Sequence, residues 1–162
     1  MLAETEHLEV ARVSDIIETA PLGDRNQPNY LNAVAEIKTD LRAEKLHKKL
    51  VDIETSLGRA REAKWSPRII DLDLLLFGAD VINHPGLTVP HPQMHLRSFV
   101  LKGLCRLNPE LLHPVIKEPM TELAARLGGN DFVPDPNLPQ LVSVAGIIGV
   151  GKTTLTEKLS NS

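Results

Sequence analysis

Asp71 and Asp73 are two carboxylates set one residue apart inside an apolar run, Trp65 to Gly78. Side chains on a strand alternate between faces, so both aspartates are expected on one face, with Ile70, Leu72, Leu74 and Leu76 on the other. Two anions this close repel unless a cation lies between them, and hard oxygen ligands at this spacing suit Mg2+ carrying substrate phosphates. Arg68 stands just upstream, where its guanidinium fork would meet phosphate oxygens. A half-buried strand with a solvated face gives the same alternation. The flanks weigh against that reading: Leu75 and Phe77 continue the aspartates' face as apolar residues, and Arg59, Arg61, Lys64 and Arg68 crowd in just before it. A basic cluster leading into an acidic pair points to a phosphate-rich ligand with its metal.

The elements that must position this pair are legible on either side. Val10, Val13, Ile16 and Ile17 predict a strand over 8–18, closed by Pro21 and Gly23 and a loop of turn-forming residues. A second strand is expected over 30–40, with Leu31, Ala33, Ala35 and Ile37 on one face and Tyr30, Asn32, Val34 and Glu36 on the other. Tyr30 and Asn32 then share a face, where an aromatic ring and a carboxamide can stack on a flat heterocycle and read its edge, or serve the strand alone. Leu46, Leu50, Ile53 and Leu57 recur at helical spacing over 41–57, with Asp40 as N-cap and Gly58 past the end. Glu54 lies on the flank of that stripe, where solvation is the default. A basic loop runs from Gly58 to Trp65, and Trp65 before Pro67 can wall a nucleotide base or simply pack. Residues 83–92 are rich in proline and glycine and are expected to be largely irregular, with His91 held between two prolines. Helices are expected from Arg97 to Leu107 and from Met120 to Leu127.

Bulk properties narrow the function classes. Eighteen Lys and Arg against 21 Asp and Glu give a net charge of −3, so a broad basic footprint for nucleic acid or an anionic membrane is absent from the 162 residues. Cys105 is the single cysteine, which excludes an internal disulfide and a cysteine-only zinc site. No apolar run approaches the roughly 18 residues of a membrane span, and the start lacks the layout of a signal peptide. A cytoplasmic setting is expected.

The C-terminal part changes character. Residues 129–140 read as a proline-stiffened linker, and Leu141 to Ala145 as a short strand. Gly146 to Thr153 then match the phosphate-binding loop pattern, with Gly146, Gly149 and Gly151, Lys152 as added charge and Thr153 able to reach Mg2+. Only nine residues follow Thr153, too few for the parallel sheet and helices that such a loop serves.

In order, Glu18 to Gly23, Gln27 to Ala33, Ile53-Glu54, Gly58 to Arg61, Trp65 to Asp73, Val89 to Pro92 and Arg97 to Phe99 resemble the motifs of the 6-hydroxymethyl-7,8-dihydropterin pyrophosphokinase family, over the chain up to about Gly128. The resemblance implies an α+β, ferredoxin-like sandwich with an antiparallel sheet, and transfer of diphosphate from ATP to the pterin hydroxymethyl group with release of AMP, a step of folate biosynthesis. It implies that Asp71 and Asp73 hold Mg2+ and, with Arg59, Arg61 and Arg68, carry the chemistry. Tyr30 and Phe99 would sandwich the pterin, Asn32 would bond its edge, and Thr19, Ala20 and Leu22 would add contacts. Glu54, Trp65, Arg68, Ile70, His91 and Arg97 would line the ATP side, with Arg59 and Arg61 on a loop closing over the phosphates. Ser66 and Ile69 stand where the family commonly has glycine and threonine.

The family's first strand and its glycine turn have no counterpart here, so residues 1–128 are expected to form a domain lacking its first strand, to fold poorly and to turn over little. Gly146 to Thr154 resemble the phosphate loop of deoxynucleoside kinases, which implies a longer product continuing into such a domain. Two further readings stand beside the first: a non-catalytic ATP- or pterin-binding remnant, and an accessory domain of a deoxynucleoside kinase.

Overall fold

The computed structural model describes residues 5–20, 28–57 and 70–130, all within one unit of the chain, Met1–Phe132. The expected linker and phosphate loop, including Gly146, Gly149, Gly151, Lys152 and Thr153, lie outside the described residues.

The single strand predicted over 8–18 is two strands. β1 (Leu8–Val13) pairs antiparallel with β4 (Ala35–Thr39), from Leu8 opposite Thr39 to Val13 opposite Ala35, with a register shift between Val10 and Arg12. β2 (Ile17–Thr19) pairs antiparallel with β3 (Tyr30–Asn32). The break comes from a side chain competing with the ladder. Ser14 donates its backbone N–H to the Val34 carbonyl at 2.8 Å, while its Oγ accepts the Val34 N–H at 3.0 Å. That exchange corrects the predicted face assignment over 30–40: Val34 is 7% exposed and Leu31 is 72% exposed.

Val34 turns inward onto α2 (Ser98–Leu107), packing with Met94, Val100, Leu101, Leu104, Met120 and Leu123. Met94, Leu101 and Met120 are completely buried, each contributing about 1.5–3 kcal/mol of hydrophobic stabilisation. α2 and α3 (Met120–Leu127) form as their amphipathic periods predict, and α3 ends on Gly128 at φ +58°, a left-handed stop that glycine adopts without strain.

α1 (Ala43–Ser56) buries Ala43, Leu46, Leu50 and Ile53. Its N-cap is Arg42 without a side-chain cap; the predicted cap, Asp40, instead meets His7 Nδ1 at 3.0 Å. Residues 70–77, expected as a strand, carry no ladder among the described residues. Their side chains nevertheless divide between two cores. Leu72, Leu74 and Phe77 pack toward Leu8, Leu46 and Leu50, while Leu75 and Leu76 pack toward the Met94 and Leu101 cluster.

The stretch expected to be irregular contains a hairpin, β5 (Ile82–His84) and β6 (Leu87–Val89), turned by Pro85 and Gly86. Leu87 and Val89 bury against Ala43, which explains why so short a ladder persists. The described residues thus form an α+β arrangement of three antiparallel strand pairs and three α-helices. No described helix is long and apolar enough to cross a membrane.

Candidate active site

Asp71 and Asp73 are exposed, while Leu72 between them is half-buried, so the expected alternation holds from Asp71 to Leu74 with no ladder among the described residues. Beyond Leu74 it is corrected, since Phe77, expected on the aspartates' face, packs with Leu72 and Leu74, and Leu76 packs with Leu75. What fixes this stretch comes from α1. Glu54, one of the best-buried side chains at 2% exposure, accepts the Leu72 N–H on Oε1 at 2.7 Å. A carboxylate removed from water needs such partners, and a charge-assisted bond to backbone is among the stronger ones. The solvated glutamate expected from its flanking position is therefore corrected: α1 directs Glu54 inward, at the backbone between the two aspartates.

Three residues further on, the Leu75 carbonyl accepts the His91 N–H at 2.9 Å. His91 Nδ1 in turn accepts the Gln93 N–H at 3.2 Å, and Gln93 Oε1 accepts from Arg97 Nη2 at 3.0 Å. The Arg97 guanidinium carbon stands 6.0 Å from the centroid of the Phe99 ring, at the edge of cation–π range. The acidic segment, His91, Arg97 and Phe99 are thus joined by a short chain of contacts. Gln93 is a link that sequence reasoning missed; its spacing of four from Arg97 was the available signal.

The β2–β3 hairpin holds a separate group. Asn32 Nδ2 donates to Thr19 Oγ1 at 2.8 Å, and Tyr30 lies directly opposite Thr19. With the amide nitrogen so engaged, Oδ1 is the acceptor atom of the Asn32 side chain. Tyr30 is 39% exposed, which suits a ring that stacks on a ligand rather than one that fills the core. Ala20 follows, exposed, and Ile70 is half-buried at the start of the acidic segment. The hairpin and the Phe99 helix are tied through the core, since Val34, two residues beyond Asn32, packs in the cluster that Phe99 partly covers. Leu22, Arg59, Arg61, Trp65 and Arg68 lie outside the described residues.

The donor set around Asp71 and Asp73 fits Mg2+. No cluster of three or more metal-binding side chains occurs among the described residues, and Mg2+ characteristically takes one or two carboxylates and completes its shell with water and phosphate oxygens. A thiolate nucleophile is disfavoured, because burial pushes the Cys105 thiol up, a backbone hydrogen bond only partly offsetting it.

Exposed paired carboxylates on a braced segment, linked through His91 and Gln93 to Arg97, are groups able to meet phosphates and their metal. Comparison with known proteins gives the family. A 46%-identical relative from Bacillus subtilis aligns over 98 residues, 60% of this chain and 59% of the relative. Relatives from Aquifex aeolicus (38% identity, 72% of this chain and 73% of the relative) and Haemophilus influenzae (35%, 82% of each) carry the same name, 2-amino-4-hydroxy-6-hydroxymethyldihydropteridine pyrophosphokinase. The model of the 7,8-dihydro-6-hydroxymethylpterin-pyrophosphokinase family matches residues 1–109, and the chain belongs to that family.

Proposed function

We propose that the chain transfers diphosphate from ATP to the hydroxymethyl group of 6-hydroxymethyl-7,8-dihydropterin in folate biosynthesis. The observation that carries this reading is the Glu54 to Leu72 bond, which braces the backbone between Asp71 and Asp73. In the reaction the hydroxymethyl oxygen attacks the β-phosphorus of ATP. The bond from that phosphorus to the oxygen bridging it to the α-phosphorus breaks, AMP leaves, and the hydroxyl proton passes to solvent. Asp71 and Asp73 would hold Mg2+, which neutralises charge on the phosphate oxygens when bound. Tyr30 and Phe99 hold the pterin ring, Asn32 accepts from its edge, and Thr19 keeps that amide oriented. His91 and Arg97 face the nucleotide, and Arg59, Arg61 and Arg68 supply further charge for the phosphates. Alignment and electrostatics suffice for phosphoryl chemistry of this kind, so a strong base is not required.

The finer readings belong to the same proposal. The strand pairs are parts of a ferredoxin-like sheet, the protein works in the cytoplasm, and residues 141–162 open a deoxynucleoside kinase-like domain, the last resting on the glycine-loop pattern alone.

The test is AMP release from ATP and Mg2+, with and without the pterin, for the chain and its Asp71→Ala/Asp73→Ala variant. Pterin-dependent AMP, falling by about 100-fold or more in the variant, is expected. ADP as product would instead mark an ordinary kinase, and pterin-independent release would remove the pterin from the reaction.

A further inference from the structure

His113 is a buried imidazole that the reaction does not use. It is 4% exposed, and its Nδ1 accepts two backbone N–H groups, from Val115 and Ile116, each at 3.2 Å. A nitrogen that accepts must keep its lone pair, so this geometry requires the neutral ring with its proton on Nε2. The surrounding backbone is braced: the His113 N–H donates to the Glu118 carbonyl at 2.9 Å, and the Lys117 N–H returns to the His113 carbonyl at 2.8 Å. Against this platform stands His95, its ring nearly perpendicular at 88° with centroids 5.7 Å apart. Neither His95 Nδ1 nor His113 Nε2, both buried, has a hydrogen-bond partner among the described residues.

His95 is the middle residue of the 3₁₀ turn Met94–Leu96. That turn is hydrogen-bonded on both sides to residues of the nucleotide side. The Met94 N–H donates to the His91 carbonyl at 3.1 Å, the Leu96 N–H donates to the Gln93 carbonyl at 3.1 Å, and the Gln93 side chain holds Arg97. A displacement of His95 therefore reaches His91 and Arg97 together. We propose that His113 is a positioning residue for the nucleotide side of the site: neutral and fixed by its two backbone donors, it holds the His95 ring and with it the turn that presents His91 and Arg97. This rests on the reading that His91 and Arg97 face ATP.

The groups around His113 make its neutrality consequential. His95 is the titratable neighbour. Lys117 is an exposed cation on the same turn, and the Glu118 carboxylate is already paired with Arg126 of α3. A proton on Nδ1 would cancel both backbone bonds and leave a buried cation with no ion-pair partner among the described residues. Burial first, and then His95, hold the His113 pKa below the usual imidazole value. Protonation is expected to release the turn and weaken nucleotide binding while sparing the pterin contacts of Tyr30 and Asn32.

The test follows the ring nitrogens of His91, His95 and His113 and the Arg97 Nε by NMR from pH 8 to 5, and in parallel measures binding of α,β-methylene-ATP with Mg2+ and of the pterin. In the natural chain, His113 is expected as the Nε2–H form, with Arg97 and His91 signals moving in step with its protonation. In His113→Asn, whose carbonyl can still accept from Val115 and Ile116, that step disappears and nucleotide affinity falls about three- to tenfold, with pterin affinity unchanged. His95→Ala should give the same selective loss while His113 still titrates. Equal loss for both ligands, an Nδ1–H tautomer, or titration of His113 without response at Arg97 would overturn the proposal. Absence of nucleotide binding by the natural chain would sink the ATP reading instead, and the NMR response would still decide whether His113 and the turn are coupled.

Discussion

Replacing Gly103 by alanine tests how tightly the site-bearing strands are seated on α2. An added Cβ would lie 2.5 Å from Val34 Cγ2, 3.0 Å from Val34 Cβ and 3.3 Å from Ser14 Oγ. Two effects oppose each other. Alanine gains about 0.8–1.0 kcal/mol over glycine inside a helix, whereas overpacking costs about 1–3 kcal/mol. Overpacking should win, because Val34 is β-branched, almost fully buried and tied by its N–H to Ser14 Oγ, so it cannot step aside. Gly103→Ala is therefore expected to destabilise by about 1–2 kcal/mol. In a Val34→Ala background the Cγ2 contact is gone while the tight contacts to Cβ and Ser14 Oγ remain, so the same substitution should cost about 1 kcal/mol less. Urea midpoints of the four proteins at unchanged m-value give the coupling directly. A neutral Gly103→Ala, or an equal penalty in both backgrounds, would refute the packing argument.

Glu54→Gln keeps an acceptor for the Leu72 N–H but loses the charge, and Glu54→Leu loses both. Stability measured by denaturant should fall by about 1 kcal/mol in the first and by about 2–3 kcal/mol in the second, with AMP release falling in the same order. The lowered His113 pKa predicts a pH dependence of stability. The unfolded chain takes up the proton first as pH falls below about 6.5, so unfolding free energy should decline from there and level off once the folded protein protonates; His113→Phe should flatten that decline.

Much of this architecture follows from sequence where one periodicity governs a whole element. α2 and α3 begin and end almost where their apolar spacing puts them, and the exposure of Asp71 and Asp73 around a half-buried Leu72 follows from simple alternation. The breaks in the first two expected strands were not legible, because they depend on Ser14 and Val34, distant in sequence, exchanging bonds that replace the ladder. The hairpin of residues 82–89 was hidden by the very residues, Pro85 and Gly86, that turn it. Glu54 was misjudged for a related reason: its partner is a backbone N–H 18 residues downstream, which no pattern within α1 can reveal.

Arg12 joins the first strand of the described fold to the end of α2. Besides its exposed pairing with Glu36 on β4, its Nη1 donates to the Leu107 carbonyl at the end of α2, 95 residues away, at 2.6 Å. Closing a flexible loop of that length costs about 4 kcal/mol, more than the roughly 1.5–3 kcal/mol that a charge-assisted hydrogen bond returns. The contact is therefore a latch rather than a nucleus. The helices and hairpins must already be gathered before it can form, and once made it opposes the separation of the first strand from the last third of the domain.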